Sequence, residues 1–210
     1  FKLKLGDLML PVILLGTLVR LMGRGTIRSV GTAVAGFGLI FVGISSLQQG
    51  MAAFEGVITP DSFPPDTILG RLLLAAIGIV VTLITQSSSA GVAAALAAVH
   101  TGTISVHQAA AMVIGMDIGT TTTAAMATIG GNVQARRTGF AHVLYNFFAA
   151  SCAMLMLKPY YSALDWISPD FESSNPELAL VSFHTTYNLI CVFLILPFTR
   201  RYARFVEWLF

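Results

Sequence analysis

The sequence predicts an all-α polytopic membrane protein, a helical bundle that contains a re-entrant hairpin and a discontinuous helix. Three observations carry that prediction. The 210 residues are 55% hydrophobic and 10% charged, with a mean hydropathy of +0.78; soluble domains carry about 25% charged residues, so a bilayer rather than water is the main solvent. Several runs approach the roughly 20 apolar residues that cross a hydrocarbon core of about 30 Å, enough for about six elements in one membrane domain. Polar clusters break the apolar pattern at 85–89 and 119–123, inside a stretch from Ile68 to Gln134 whose charged residues are Arg71 and Asp117.

The same composition excludes other classes. A net charge of only +2 gives no nucleic-acid footprint, which needs Lys and Arg clustered on one exposed face. Cys152 and Cys191 fall inside apolar runs, where a thiol is a small buried side chain and reports no redox compartment. The opening Phe1-Lys2-Leu3-Lys4 resembles neither a signal peptide nor a start, so the chain reads as part of a longer polypeptide.

Residues 7–22 and 30–53 read as two antiparallel spans joined by a short loop with Arg24, Gly25 and Arg28. Gly31, Ala35, Gly38 and Gly43 in the second span let helices approach closely in lipid. Pro60, Pro64 and Pro65, with Glu55, Asp61 and Asp66, mark 54–67 as a loop outside the hydrocarbon. Residues 68–101 form the hairpin and 104–130 the broken helix. Spans at 135–157 and 178–197 follow, with an acidic loop between them. The tail 198–210, with Arg200, Arg201, Arg204 and Trp208, lies at the interface.

Charge placement speaks against a single crossing over 68–101 without separating a re-entrant hairpin from two complete spans, and the length of the second arm favours the hairpin. Cytoplasmic loops are enriched in Lys and Arg, and a single long span over 68–101 would put Arg136 and Arg137 outside and the 158–177 acids inside. If 68–101 instead enters, turns near Gln86 and leaves on the same side, eight of the 12 basic residues (Arg20, Arg24, Arg28, Arg136, Arg137, Arg200, Arg201, Arg204) lie inside. Seven of the 10 acids (Glu55, Asp61, Asp66, Asp165, Asp170, Glu172, Glu177) then lie outside, and Lys2 and Lys4 dissent. The arm after Ser89 runs about 12 residues, roughly 18 Å at 1.5 Å per residue, too short to cross.

Non-helical backbone at membrane depth must face protein or a water-filled cavity. Ser87, Ser88 and Ser89 are helix N-cap residue types, and a helix start offers free N–H groups and about half a positive charge to an anion. Gln86 adds a carbonyl oxygen and two donors. The second break, Gly115-Met116-Asp117-Ile118-Gly119 followed by Thr120 to Thr123, reads as unwound backbone capping a second half-helix, the arrangement with which secondary transporters hold anions and coupling cations. The plainer alternative is that these hydroxyls bond back to carbonyls of their own helix. Asp117 is an intramembrane acid that binds a cation, carries a titrating proton, or caps the half-helix at Thr120. His142 with Asn146, and His184 with Asn188, share helix faces and suit helix-to-helix hydrogen bonds. His100 and His107 flank the hairpin exit at the interface, and Arg71 snorkels to the surface.

At these residues the chain resembles the sodium-dependent phosphate cotransporter family, the type II sodium/phosphate symporters and their bacterial relatives. The resemblance rests on Gln86-Ser87-Ser88-Ser89-Ala90, Gly115-x-x-Ile118-Gly119-Thr120-Thr121, Ala135-Arg136-Arg137 before His142-x-x-x-Asn146, and Phe183-His184-Thr185-x-x-Asn188. It implies one half of an inverted-repeat transporter in a bilayer, of the kind found in a bacterial inner membrane, with phosphate and sodium bound between two QSSS tips. Ser87, Ser88, Ser89, Thr120 and Thr121 would hold phosphate, and Gln86, Asp117 and Thr122 sodium, the coupling ion, with no other cofactor. The family pattern has Asn where this chain has Asp117, so the ion stoichiometry does not carry over to that position. With one QSSS here, the other repeat must come from a missing segment or a second chain. The rival readings are a carrier of another oxyanion and an intramembrane serine hydrolase, for which the sequence supplies no G-x-S-x-G turn and no evident acid to orient a histidine.

Overall fold

Side-chain caps and close glycine contacts set where the helices of this protein begin and how near they lie. The computed structural model describes residues 5–53 and 56–209; Lys2, Lys4 and Glu55, three of the charges that bear on sidedness, lie outside the described residues. The chain divides into two compact units, Phe1–Glu55 and Gly56–Phe210. Among the described residues the regular structure is helical throughout.

The first unit is a hairpin of α1 (Leu5–Met22) and α2 (Thr26–Ala52). Its helices are antiparallel and nearly in backbone contact: a Cβ at Gly16 would stand 2.5 Å from Ala35 N, and one at Gly31 2.4 Å from Arg20 N. Gly38 instead makes room for the Ile13 side chain, whereas Gly43 meets nothing within 4 Å and takes no part in the packing expected of it. Helix α2 starts four residues before the predicted span, because the turn is completed at Gly25 (φ 54°) and Arg28 already lies on the helix.

The second unit begins with the proline-rich loop, which contains a 3-10 turn at Pro60–Ser62. Thr67 then caps α3 (Ile68–Thr85), its hydroxyl accepting from Gly70 N at 3.1 Å. The helix ends at Gln86 in the left-handed region (φ 52°, ψ 24°), and Ser87 in extended backbone caps α4 (Ser88–His100). Two residues therefore reverse the chain where the sequence placed the turn. Helix α4 has 13 residues, about 20 Å at 1.5 Å per residue.

Contacts of the next helix reveal the return. Helix α5 (Val106–Ala127) starts at a capping box in which Gln108 N donates to Ser105 Oγ (3.2 Å) and Ser105 N to Gln108 Oε1 (2.9 Å). The Gln108 amide also donates to the carbonyls of Pro60 (2.8 Å) and Pro64 (3.2 Å), in the loop before α3. Helices α3 and α5 thus begin side by side and run parallel, with Ala75 against Gly115, Gly78 against Met112 and Thr82 against Gly119. For both to start together, α4 must bring the chain back to the end from which α3 set out.

Helix α5 is the axis of this unit; Ala109, Ala110, Ala111, Val113 and Ile114 are wholly buried. It is also unbroken, which corrects the discontinuous helix expected over 104–130. The glycines serve close approach rather than unwinding: a Cβ at Gly115 would fall 1.9 Å from the Ala75 carbonyl oxygen, and one at Gly78 2.0 Å from that of Met112. Sequence shows that Gly is needed but not which of these two needs it meets.

Helix α6 (Val133–Ile167) extends ten residues past the predicted end at 157, through Pro159. Proline has no N–H to give the Leu155 carbonyl and normally ends a helix. Packing outweighs that loss: the Tyr160 and Tyr161 rings stand 5.3 and 5.5 Å from the Phe183 ring, and Tyr160 OH donates to Ser182 Oγ at 2.9 Å. A short turn, α7 (Phe171–Ser174), leads to α8 (Pro176–Ile195), and a 3-10 turn joins this to α9 (Thr199–Leu209). Tyr202 OH ties α9 back to the Ala141 carbonyl at 2.5 Å. By length and apolarity four segments suffice to cross a membrane: Thr26–Ala52, Ile68–Thr85, Val133–Ile167 and Pro176–Leu209. The described apolar parts of α1 (Leu8–Met22) and α4 are shorter.

Candidate functional site

Three helices meet where α4 begins. The Ser87 hydroxyl accepts from Ala90 N at 3.2 Å, and the Ser87 carbonyl accepts from Gly91 N at 3.2 Å. The first-turn N–H groups of Ser88 and Ser89 precede any carbonyl the helix can offer them, so they and the helix dipole face outward from the break. Ser87 and Ser88 are half-buried, Ser89 and Gln86 exposed. A cavity of about 250 Å³ lies beside them, lined by Ser88, Ser89, Val92, Ala93 and Leu96 of α4, Asp117 of α5 and His184 of α8.

Asp117 is held from across that cavity. Its Oδ2 accepts from Tyr187 OH (2.5 Å), His184 Nε2 (3.2 Å) and Asn188 Nδ2 (3.4 Å). Residues at i, i+3 and i+4 share one helix face, so a single stripe of α8 delivers all three donors. Tyr187 is the residue that sequence reasoning missed. Its spacing from His184 was a legible signal, but nothing local said that an acid 70 residues away would receive it. The other His–Asn pair behaves differently: Asn146 Nδ2 donates to the carbonyl of His142 at 3.0 Å, within its own helix.

The threonines follow the plainer alternative. Thr120 Oγ1 donates to the Asp117 carbonyl (2.6 Å), Thr121 to Ile118 (2.7 Å) and Thr123 to Thr120 (2.8 Å), each three residues back. Thr121 is buried. On an unbroken helix Thr120 and Thr121 share the stripe of Asp117, while Thr122 lies about 140° away around the axis. Because Thr82 packs on Gly119 in parallel register, Gln86 stands level with residues 122–123 rather than with Asp117. The structure thus gathers Ser88, Ser89 and Asp117 around one cavity, whose lining includes none of Gln86, Ser87, Thr120, Thr121 and Thr122. Among the described residues, no group of three or more His, Cys, Asp or Glu is arranged to hold a metal ion.

The opposite end of the unit carries a separate polar cap. Arg71 forms a two-pronged pair with Asp66 (2.5 and 3.0 Å), so it is partnered rather than merely snorkelling. That pairing holds the Asp66 carboxyl below the usual carboxylate range, a lowering that partial burial opposes and His107 reinforces. His107 Nδ1 lies 3.2 Å from Asp66 and its Nε2 3.4 Å from Glu172, and His100 pairs with Glu177. Both histidines therefore join the start of α5 or the end of α4 to acids of neighbouring segments. Cys152 and Cys191 are free thiols, the latter buried.

A family model described as Na+/Pi-cotransporter matches residues 68–164, from the start of α3 through most of α6. The Uncharacterized protein YqeW of Bacillus subtilis is 29% identical over 208 residues, which is 97% of this chain and 65% of the relative. The Putative inorganic phosphate export protein YjbB of Salmonella typhimurium is 27% identical over 204 residues, 94% of this chain and 36% of the relative. The Sodium-dependent phosphate transport protein 2A of Oryctolagus cuniculus is 31% identical over 118 residues, 55% of this chain and 18% of the relative. The chain thus spans 65% or less of the length of these relatives. No solved structure matches it.

Proposed function

We propose that the chain, whose residues 68–164 match the Na+/Pi-cotransporter family model, supplies one half of a sodium-coupled inorganic phosphate transporter. It is a multi-pass membrane protein, placed in the plasma membrane of a bacterium, with α3 and α4 forming a re-entrant hairpin whose tip reaches mid-membrane. The observation that supports this best is the break at Gln86 and Ser87, which opens the start of α4 onto a cavity shared with Asp117 and His184. A phosphate there meets the N–H groups of Ser88 and Ser89 and the hydroxyls of Ser87, Ser88 and Ser89, all donors suited to an anion.

Thr120 and Thr121 complete the phosphate site by rotating their hydroxyls away from the Asp117 and Ile118 carbonyls. Sodium is taken at Asp117, while Gln86 and Thr122, level with each other but not with Asp117, form a second cation position. Bound sodium offsets the repulsion between Asp117 and the anion, so each ligand raises the affinity of the other. The remaining repeat, from the rest of a longer polypeptide or from a second copy, closes the side on which Gln86 and Ser89 are exposed.

The hydrolase rival gains an acid in this structure, since Asp117 pairs with His184. It still lacks a nucleophile, because among the described residues no serine hydroxyl is hydrogen-bonded to either His142 or His184, and a triad needs that bond. Sodium-dependent phosphate binding by the complete protein tests the proposal. Ser88→Ala and Thr121→Ala should each abolish it, and undiminished binding in both would move the site elsewhere.

A further inference from the structure

All three donors of the α8 stripe converge on one oxygen of Asp117. Oδ2 accepts from Tyr187, His184 and Asn188, whereas Oδ1 receives no hydrogen bond among the described residues. The Asp117 side chain is 21% exposed and lines the 250 Å³ cavity together with Ser88 and Ser89. A carboxylate held in this way has one oxygen committed to the protein and one left to the cavity.

We infer that His184, Tyr187 and Asn188 are positioning residues that present Asp117 Oδ1 as a single ligand oxygen for the coupling cation, in the same cavity that receives the anion. This rests on the proposed phosphate site and deepens it. The cation sits between Oδ1 and an oxygen of the bound anion, so coupling is direct contact rather than a change relayed through the bundle. A hard monovalent cation suits a site made of one carboxylate oxygen, serine hydroxyls and an anion oxygen, because all its ligands are oxygen. A thiophilic or imidazole-seeking metal has no place there, since the His184 nitrogen nearest the site already faces Asp117.

Tyr187 carries the sharpest test. Its ring is buried and packs 5.2 Å from the Phe183 ring, so Tyr187→Phe keeps the packing and removes the shortest bond to Oδ2. Loss of one hydrogen bond to a charged group should let Asp117 rotate and raise the sodium concentration for half-activation by roughly tenfold. At saturating sodium the phosphate affinity should stay within about twofold, because the anion's own donors on α4 are untouched. Tyr160→Phe is the control: it deletes a hydroxyl bonded across α6 and α8 to Ser182 but remote from Asp117, and should leave sodium activation unchanged. Asn188→Leu, which removes the Nδ2 donor at similar volume and adds no charge, should also raise the sodium requirement, by less than Tyr187→Phe because its bond to Oδ2 is the longest of the three.

The measurement is phosphate binding by the complete protein over a sodium series, for wild type and the three variants. A rise in sodium requirement for Tyr187→Phe and Asn188→Leu alone supports the inference. Unchanged sodium activation in Tyr187→Phe, or an equal loss of sodium and phosphate affinity, overturns it while leaving the phosphate site standing. If the wild type binds no phosphate, it is the underlying reading that fails.

Discussion

Adding a single methyl group at Gly115 should separate the two helices at the centre of the second unit. The alanine Cβ would lie 1.9 Å from the Ala75 carbonyl oxygen, 2.6 Å from its carbon and 2.7 Å from its Cα. Ordinary contact begins at 3.4 Å, so the backbones must part by about 1.5 Å, and no flexible side chain can yield in their place. Overpacking of this kind costs about 1–3 kcal/mol. The separation also stretches the buried bond from Thr82 Oγ1 to the Met116 carbonyl, already 3.3 Å, adding about 1 kcal/mol. Less the gain of about 1 kcal/mol in helix propensity, Gly115→Ala should therefore destabilise by about 1–3 kcal/mol. Gly78→Ala, which meets the Met112 carbonyl at 2.0 Å, should cost as much. The double mutant should cost less than the sum, because one separation accommodates both methyls. Gly43→Ala, with nothing within 4 Å, should be neutral or stabilising by up to about 1 kcal/mol through helix propensity alone. Equilibrium unfolding of the purified protein in detergent, followed by circular dichroism, gives all four values. If Gly115→Ala proves as stable as wild type, α3 and α5 do not meet there, and the unwound segment that the sequence suggested would have to be reconsidered.

Two further outcomes follow from local geometry. Gln86 holds a left-handed conformation (φ 52°), so Gln86→Gly should preserve the turn, whereas Gln86→Val should destabilise by roughly 1–2 kcal/mol; equal stability of the two variants would contradict the tip geometry. Asp66, with its pKa lowered chiefly by Arg71, binds its proton less readily folded than unfolded, so its pairing contributes fully above the unfolded value of about 3.9 and is lost as pH falls through the folded one. Asp66→Asn should accordingly flatten the acid limb of the stability–pH profile. The effect is small because the side chain is 38% exposed, and an unchanged profile would mean that the pair contributes nothing.

What the sequence made legible was local or statistical. Serine and glutamine at the tip act within four residues of themselves, and the structure ends α3 and starts α4 at them. The return of α4 was argued from charge and from the shortness of its arm, and the Gln108 bonds to Pro60 and Pro64 hold the starts of α3 and α5 side by side. What stayed hidden depended on distant partners. Gly115 and Gly119 look alike whether they unwind a helix or admit a neighbour, and only the position of Ala75 and Thr82 decides between these. Pro159 predicts a helix end unless Phe183 is known to pack beside the next turn. Asp117 was left with three roles because the residues that hold it lie 67 to 71 positions away.

The most direct measurement places a single cysteine at Ala93, which lines the cavity beside Ser88 and Ser89, in the complete protein with every native cysteine replaced by Ala, and follows its reaction with a small membrane-impermeant thiol reagent in sealed vesicles. A tip within the bundle should react slowly, and phosphate with sodium should slow it further, whereas sodium with a non-binding anion should not. Rapid labelling at the rate of a surface loop, indifferent to phosphate, would mean that the start of α4 lies in open water and holds no anion.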